Sequence, residues 1–420
     1  MATTPLALNA DELSACVSCG LCLPTCPTYR VTGRESASPR GRIGLMRAIE
    51  SGASELNGVT ATFFDECVQC RACDVACPSG VPFGHLIEDT KAAMAGALPR
   101  RRSLLTRVAF RIGLGTLGHQ RLLRVGGAAA VLGRQVLPTR LGIPRVPLRQ
   151  IFRKLTVVST TQSPVILFTG CVMDVWQRDV HQDTINVLEK SGACVEISGS
   201  AAPCCGALHL HAGDRENARK RAVSTMASLG DSELPILVNS AGCGAALKDY
   251  GRLIGTPAAH HFSSRVMDVH EWLAADPERI QRLALQPTGR SVVVQDPCHL
   301  KNAQRLTAPV RTVLSGPYTI IETSDDGVCC GAGGAYSVLQ PTLSIDIRQR
   351  KVEALHAAMD AAGAPQSTVV ASGNPGCMMH LACANVVTQH PMSLVAAAMS
   401  LVAAAGPLVA AAVASQSDQS

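Results

Sequence analysis

Cys16-Val-Ser-Cys19-Gly-Leu-Cys22-Leu-Pro-Thr-Cys26-Pro27 and Cys67-Val-Gln-Cys70-Arg-Ala-Cys73-Asp-Val-Ala-Cys77-Pro78 are two copies of one pattern, C-x2-C-x2-C-x3-C-P. The spacing has a mechanical reason. Three thiolates at intervals of three residues let a short loop wrap one face of an iron–sulfur cubane, each sulfur reaching a different iron. The fourth cysteine lies a turn further on, and the proline after it stops the chain from coiling back over the same cluster.

In paired runs of this kind, as in two-cluster bacterial ferredoxins, the fourth cysteine ligates the other cluster. The spacing therefore predicts two 4Fe–4S centres, one held by Cys16, Cys19, Cys22 and Cys77 and the other by Cys67, Cys70, Cys73 and Cys26. Zinc favours two separated C-x2-C pairs or mixed Cys/His sets. Disulfides need an oxidising compartment that nothing in the sequence suggests. The reading that follows is electron transfer.

With 420 residues the chain is too long for one core and predicts about two to four domains. Hydrophobic residues at 47% against 17% charged allow most of it to bury a core. The 18 cysteines are few for a disulfide-stapled secreted chain and many for a cytosolic enzyme without metal. The first residues lack a basic region followed by an apolar run, so no secretory signal is expected. The expected location is cytoplasmic, with association to the inner face of the cytoplasmic membrane left open by the charge pattern.

That pattern is one-sided. From Lys91 to Met173 there is no Asp or Glu, while fourteen basic residues crowd the same stretch; the net charge of +6 thus hides an acidic remainder. A field so uneven marks a docking surface. Leu104, Leu105, Val108 and Ile112 form an apolar stripe between arginines, suited to an anionic membrane surface or an acidic partner. The plainer reading is a solvated linker with helical pieces. Nucleic acid is not expected, because no binding motif or aromatic stacking set accompanies the charge. Gly113-Leu-Gly-Thr-Leu-Gly118 matches G-x-G-x-x-G, but no strand precedes it and no acid follows to hold a ribose, so it predicts no dinucleotide site.

Helical spacing of Ile43, Met46 and Ile49 between the cysteine runs predicts an all-helical cluster domain over residues 1–97. A basic connector spans 98–160. From Pro164 strands and helices alternate twice in the same order: strand, cysteine, helix, strand, Cys-Cys-Gly, helix, strand, cysteine. The strands are expected at 165–170, 195–197 and 236–238, then at 292–295, 319–322 and 368–371. This is a duplicated α/β unit with parallel sheets, placed at 161–290 and 291–392. The cysteines fall at the carboxyl ends of strands, where open α/β sheets place ligands. Residues 393–420 are an Ala-rich tail, read as a packed helix to about 404 followed by a frayed end. The overall class is α + α/β.

Two ferredoxin motifs followed by two Cys-Cys-Gly repeats resemble the iron–sulfur subunit of glycolate oxidase, also called glycolate dehydrogenase. The resemblance runs from about residue 10 to 392. It is carried by Cys19-Gly-Leu-Cys22, Cys26-Pro-Thr-Tyr29, Pro39-Arg-Gly-Arg-Ile43 and Gly242-Cys-Gly-Ala-Ala-Leu-Lys-Asp-Tyr-Gly251. The repeats also resemble heterodisulfide reductase subunits, lactate-utilisation proteins and the anaerobic glycerol-3-phosphate dehydrogenase iron–sulfur subunit. The heterodisulfide-reductase pattern ends each repeat in C-x2-C, whereas here Ala246 and His380 stand at the second position. Each repeat still keeps four cysteines: Cys171, Cys204, Cys205 and Cys243, then Cys298, Cys329, Cys330 and Cys377. These are candidate ligands of a further iron–sulfur or other metal centre; the alternatives are structural thiols or a redox-active vicinal pair. Cys194 and Cys383 read as packed, non-ligating thiols, and His209, His211 and His299 are not taken as ligands.

The resemblance implies an electron-transfer subunit with no flavin or NAD of its own. Its partners would be FAD-containing glycolate dehydrogenase subunits, and its acceptor a quinone or similar molecule. The rivals are the same relay serving glycerol-3-phosphate or lactate oxidation, and a disulfide-reducing enzyme acting at the Cys-Cys-Gly cysteines. No residue of the chain is expected to be catalytic in glycolate oxidation itself.

Overall fold

The computed structural model describes residues 5–98, 104–133, 148–158, 164–199, 202, 204–325 and 327–399. As far as residue 98 every regular element is helical. The helix Pro39–Glu50 begins where the Ser38 hydroxyl accepts the Gly41 N–H at 2.9 Å and Pro39 presets the first turn. Its inner face carries Ile43, Met46 and Ile49, which meet Phe64 from Gly58–Asp65 and Leu86, Ile87 and Met94 from Phe83–Ala97. Met46, Ile49, Leu86 and Ile87 are each fully buried, worth about 1.5–3 kcal/mol apiece. This core is what holds the two cysteine loops against each other.

The duplicated part forms two four-stranded parallel sheets. β1 (Pro164–Phe168), β2 (Cys194–Ile197), β3 (Ile236–Val238) and β4 (Val266–Asp268) lie in the order β2-β1-β3-β4. β5 (Arg290–Val294), β6 (Tyr318–Ile321), β7 (Val369–Ala371) and β8 (Thr388–Gln389) repeat it as β6-β5-β7-β8. The six expected strands are present to within a few residues at their ends. The fourth strand of each sheet was not expected, because β4 has three residues and β8 two, too short for an alternation or a β-rich run to register. Val165 to Phe168 are all buried, which fits a parallel strand covered on both faces.

The two units share one core. Val165, Leu167, Ile185 and Leu188 of the first belong to the same buried cluster as Val292, Val294, Val313 and Val369 of the second. Met392, Leu394, Val395 and Ala398, on a helical segment at 391–399, close it. The expected tail helix is thus seen to residue 399, and the rest of the Ala-rich tail lies outside the described residues.

Between the sheets sits a buried polar seam. His390 donates from Nε2 to the Asn239 carbonyl at 2.8 Å and accepts the Met392 N–H on Nδ1 at 3.1 Å, so both ring nitrogens are satisfied by the neutral form. Asn239 Nδ2 lies 3.1 Å from His181 Nδ1, and His390 stacks on His270, which pairs with Asp268 at 2.7 Å. Burial pushes His181 down to about 4 and His390 to about 3. Both folded values lie below the ordinary histidine value. The unfolded chain therefore gains protons that the folded chain refuses, and the stability present above about pH 6.5 is lost as the pH falls toward 4. Each ring is expected to cost about 1 kcal/mol by about pH 5.5. Urea midpoints measured at falling pH should drop accordingly, and the drop should shrink in His390→Asn.

The basic connector contains the helices Leu104–Thr116, Gln120–Leu132 and Leu148–Ile151. Gly113 to Gly118 lie at the end of the first, with no strand before them among the described residues, so the G-x-G-x-x-G match is not seen in a strand–turn–helix context. The first two helices form a hairpin docked on the first repeat. Leu114 and Leu117 pack against Cys171 and Cys204, and Gly127 lets the second helix pass close to Val175 and Trp176. Arg124 reaches Asp174 at 2.7 Å, and Arg178 pairs with the same carboxylate. Of the expected apolar stripe, Val108 and Ile112 face outward, while the side chains of Leu104 and Leu105 lie outside the described residues.

Candidate functional site

The two cysteine loops are built on the same backbone device. Ser18 (φ 58°) and Gly20 (φ 85°) flank Cys19, and Gln69 (φ 58°) and Arg71 (φ 61°) flank Cys70. Alternate left-handed residues curl each loop so that its first three cysteines face one side, at a strain that the non-glycine positions tolerate only because the packing fixes them. Arg47 holds the first loop through the Leu13 and Cys16 carbonyls, the latter at 2.6 Å. Lys91 holds the second through the Cys67 carbonyl at 3.2 Å.

Two cavities result. The first, of about 410 Å³ including space open to solvent, is lined by Cys16, Cys19, Cys22 and Cys77 with Ile43, Val81 and Phe83. The second, of about 350 Å³ again including space open to solvent, is lined by Cys26, Cys67, Cys70 and Cys73 with Arg42 and Ile87. The fourth cysteine of each run lies on the wall of the other run's cavity. Pro39, Cys73 and Phe83 border both, so the two spaces are direct neighbours. Cys19 is exposed, whereas Cys26, Cys67, Cys70 and Cys73 are all buried, making the first cavity the outer one.

In the repeats the cysteines converge at the carboxyl ends of the strands. Cys298 Sγ lies 4.0 Å from Cys329 Sγ, and Cys330 Sγ lies 3.0 Å from Cys377 Sγ. The first repeat pairs the equivalent residues, Cys171 with Cys204 and Cys205 with Cys243. The glycine of each Cys-Cys-Gly has a structural cause. Gly206 (φ 81°) and Gly331 (φ 85°) are left-handed, and a Cβ there would come within 3.0 Å of the Ala218 carbonyl oxygen and 2.5 Å of that of Ser344. This turn points the Gly206 and Gly331 N–H groups at Cys204 Sγ (3.5 Å) and Cys329 Sγ (3.4 Å). Neighbouring thiols hold Cys204 and Cys330 well below the usual thiol range, and Cys205 lowers Cys243 as well, so each repeat favours thiolate at part of its sulfur set.

His209 and His299, set aside in the sequence, do touch site sulfurs. His209 hydrogen-bonds Cys204, and His299 Nδ1 lies 3.5 Å from Cys298 Sγ. Their closeness in sequence to Cys205 and Cys298 was the available signal. Cys194 lies on β2 and Cys383 donates to the Met379 carbonyl, both apart from the four-sulfur groups. His380, in place of the second cysteine of C-x2-C, instead meets Ser344 at 3.1 Å.

The sites are contiguous. The Cys70 thiol is hydrogen-bonded to Cys329, which with burial raises it well above its ordinary value. Asn302 of the second repeat donates to the Cys70 carbonyl at 2.8 Å. Asn374 donates to Cys377 Sγ at 3.4 Å and accepts the Gly242 N–H at 3.2 Å, beside Cys243 of the first repeat. Among the described residues no three Cys, His, Asp or Glu side chains converge as a single-ion site. Sulfur-lined cavities with apolar walls suit a cluster, whose irons stand between the sulfurs, better than one zinc ion.

Residues 12–81 match a 4Fe-4S dicluster domain, and residues 165–248 and 292–382 match a cysteine-rich domain. Fold and site together define an iron–sulfur electron-transfer subunit. The glycolate oxidase iron-sulfur subunit of Escherichia coli is 31% identical over 90% of this chain and 92% of its own length. A probable glycolate oxidase iron-sulfur subunit of Bacillus subtilis is 29% identical over 89% of each. One of the subunits of the dihydromethanophenazine:CoB–CoM heterodisulfide reductase of Methanosarcina acetivorans is 25% identical over 83% of this chain and 84% of its own. The chain belongs to the glycolate oxidase iron–sulfur subunit family.

Proposed function

We propose that this chain is the relay of a glycolate dehydrogenase complex, carrying electrons from a partner subunit's FAD through its clusters to a quinone or similar acceptor as glycolate becomes glyoxylate. The observation that carries this reading is the contact of Cys70 with Cys329, which joins the dicluster part to the repeats. Bound 4Fe–4S clusters supply one-electron chemistry, dividing the pair that a flavin receives together. Cys16, Cys19, Cys22 and Cys77 hold one cluster and Cys67, Cys70, Cys73 and Cys26 the other, in line with the two cavities. Cys171, Cys204, Cys205 and Cys243, with Cys298, Cys329, Cys330 and Cys377, are the ligands proposed for any further centre. The chain's own groups set the surroundings: Arg42 on the second cavity wall, and the Gly206 and Gly331 N–H groups aimed at sulfur.

Protein purified without oxygen is expected to contain about eight irons per chain, more if the repeats are filled. Mixed with the flavin subunits, its iron–sulfur absorbance should bleach on adding glycolate and not glycerol 3-phosphate or lactate. Bleaching by either of those instead would reassign the complex. A second reading, disulfide reduction at the repeats, is favoured by the 3.0 Å approach of Cys330 and Cys377. Thiol or disulfide turnover by the isolated chain would support it; a pure relay shows none.

A further inference from the structure

The helices Leu104–Thr116 and Gln120–Leu132 are apolar on two sides. Their inner side, with Leu114, Leu117 and Leu123, is consumed by packing on the first repeat. Their outer side presents Val108, Ile112, Leu122, Val125 and Leu132, with exposures of 47, 63, 59, 63 and 70%. Leu122, Val125, Ala129 and Leu132 follow one another at intervals of three and four, a continuous stripe on one helix face. Arg111 and Arg121 are exposed on the same helices.

Two properties decide the occupant. The surrounding sequence, Lys91 to Met173, is strongly basic and contains no acid, which is complementary to an anionic surface. Apart from His119 the exposed residues described on the hairpin are aliphatic, glycine or arginine. A protein interface of useful size carries directional hydrogen bonds around its apolar centre, and this face offers few groups to make them. An aliphatic stripe flanked by arginines needs only hydrocarbon and diffuse negative charge. At 13 residues each, the helices are about 20 Å long, short of a hydrocarbon core. No helix among the described residues is long and apolar enough to cross a membrane.

We propose that the outer face of this hairpin lies in the plane of an anionic lipid surface. Cys171 and Cys204 pack against the inner face, so the first-repeat cysteines would stand about one helix diameter, some 10 Å, from the headgroups. That places this end of the cysteine path at the membrane, which matters only if the relay reading holds; the docking itself does not depend on it.

Full-length protein is tested by co-sedimentation with phosphatidylcholine vesicles, with and without phosphatidylglycerol. Wild type should pellet with the anionic vesicles, less as salt rises, and stay in solution with the neutral ones. Val125→Glu and Ile112→Glu, both exposed on the outer face, should each lower the bound fraction about tenfold, while Val125→Leu binds as wild type. Iron content, measured in the same samples, should not change. Failure of wild type to bind anionic vesicles, or undiminished binding by the glutamate variants, overturns the proposal. So does loss of flavin-subunit capture by Val125→Glu without loss of vesicle binding, which would assign the face to a protein. Protein purified without oxygen that binds the vesicles yet holds no iron would sink the relay and leave the docking intact.

Discussion

Cys70→Ser is expected to remove about four of some eight irons and one of the two ferredoxin-type paramagnetic signals. The surviving signal should be that of the outer cavity, whose walls include Cys16, Cys19, Cys22 and Cys77 and not Cys70. A second effect follows from the contact with Cys329. Alkylation of the second-repeat thiols, or the spectrum of any centre they hold, should change in Cys70→Ser and stay unchanged in Cys19→Ser, which acts at the exposed loop. Iron analysis and electron paramagnetic resonance of both variants check this. Loss of both signals in Cys70→Ser, with helix content intact, would count against the crossed ligand arrangement.

Lys351→Met is expected to destabilise the fold by about 3–5 kcal/mol, read as a lowered denaturant midpoint. Lys351 is fully buried on the helix Pro341–Ala361, and its ammonium meets Asp325 at 2.6 Å. Removing the ammonium leaves the carboxylate buried, with hydrogen bonds from Thr323 (2.8 Å) and the Gly327 N–H (3.2 Å) but without its cation. The loop so held leads directly into Cys329 and Cys330. Joint replacement, Lys351→Met with Asp325→Asn, should recover part of the loss, because no unpaired charge remains.

Much of this was legible in the sequence, for identifiable reasons. The doubled C-x2-C-x2-C-x3-C-P and the doubled Cys-Cys-Gly are local patterns whose spacing is dictated by the turns they make. The left-handed Gly206 and Gly331 are one such case. The runs at β1 and β5 are apolar because both faces are covered. What was not legible depends on distant partners. β4 and β8 are strands only because β3 and β7 lie beside them. The contacts of Cys70 with Cys329, Asn374 with Gly242, and Lys351 with Asp325 join segments far apart in the chain. His209 and His299 looked like ordinary histidines until the turns brought them to sulfur. The connector's basic charge was plain, but its helices dock through glycine and leucine positions that no local pattern distinguishes.

The single hydrophobic interior under both sheets has a consequence for dissecting the protein. Severing the chain near residue 288, the junction suggested by the duplication, would strip Val165, Leu167, Val292 and Val294 of neighbours on each side. Neither fragment should fold alone, and co-expressed halves should assemble only by rebuilding that interior. A gene-fission experiment would thus distinguish duplicated ancestry from present independence: twins by descent, inseparable in practice.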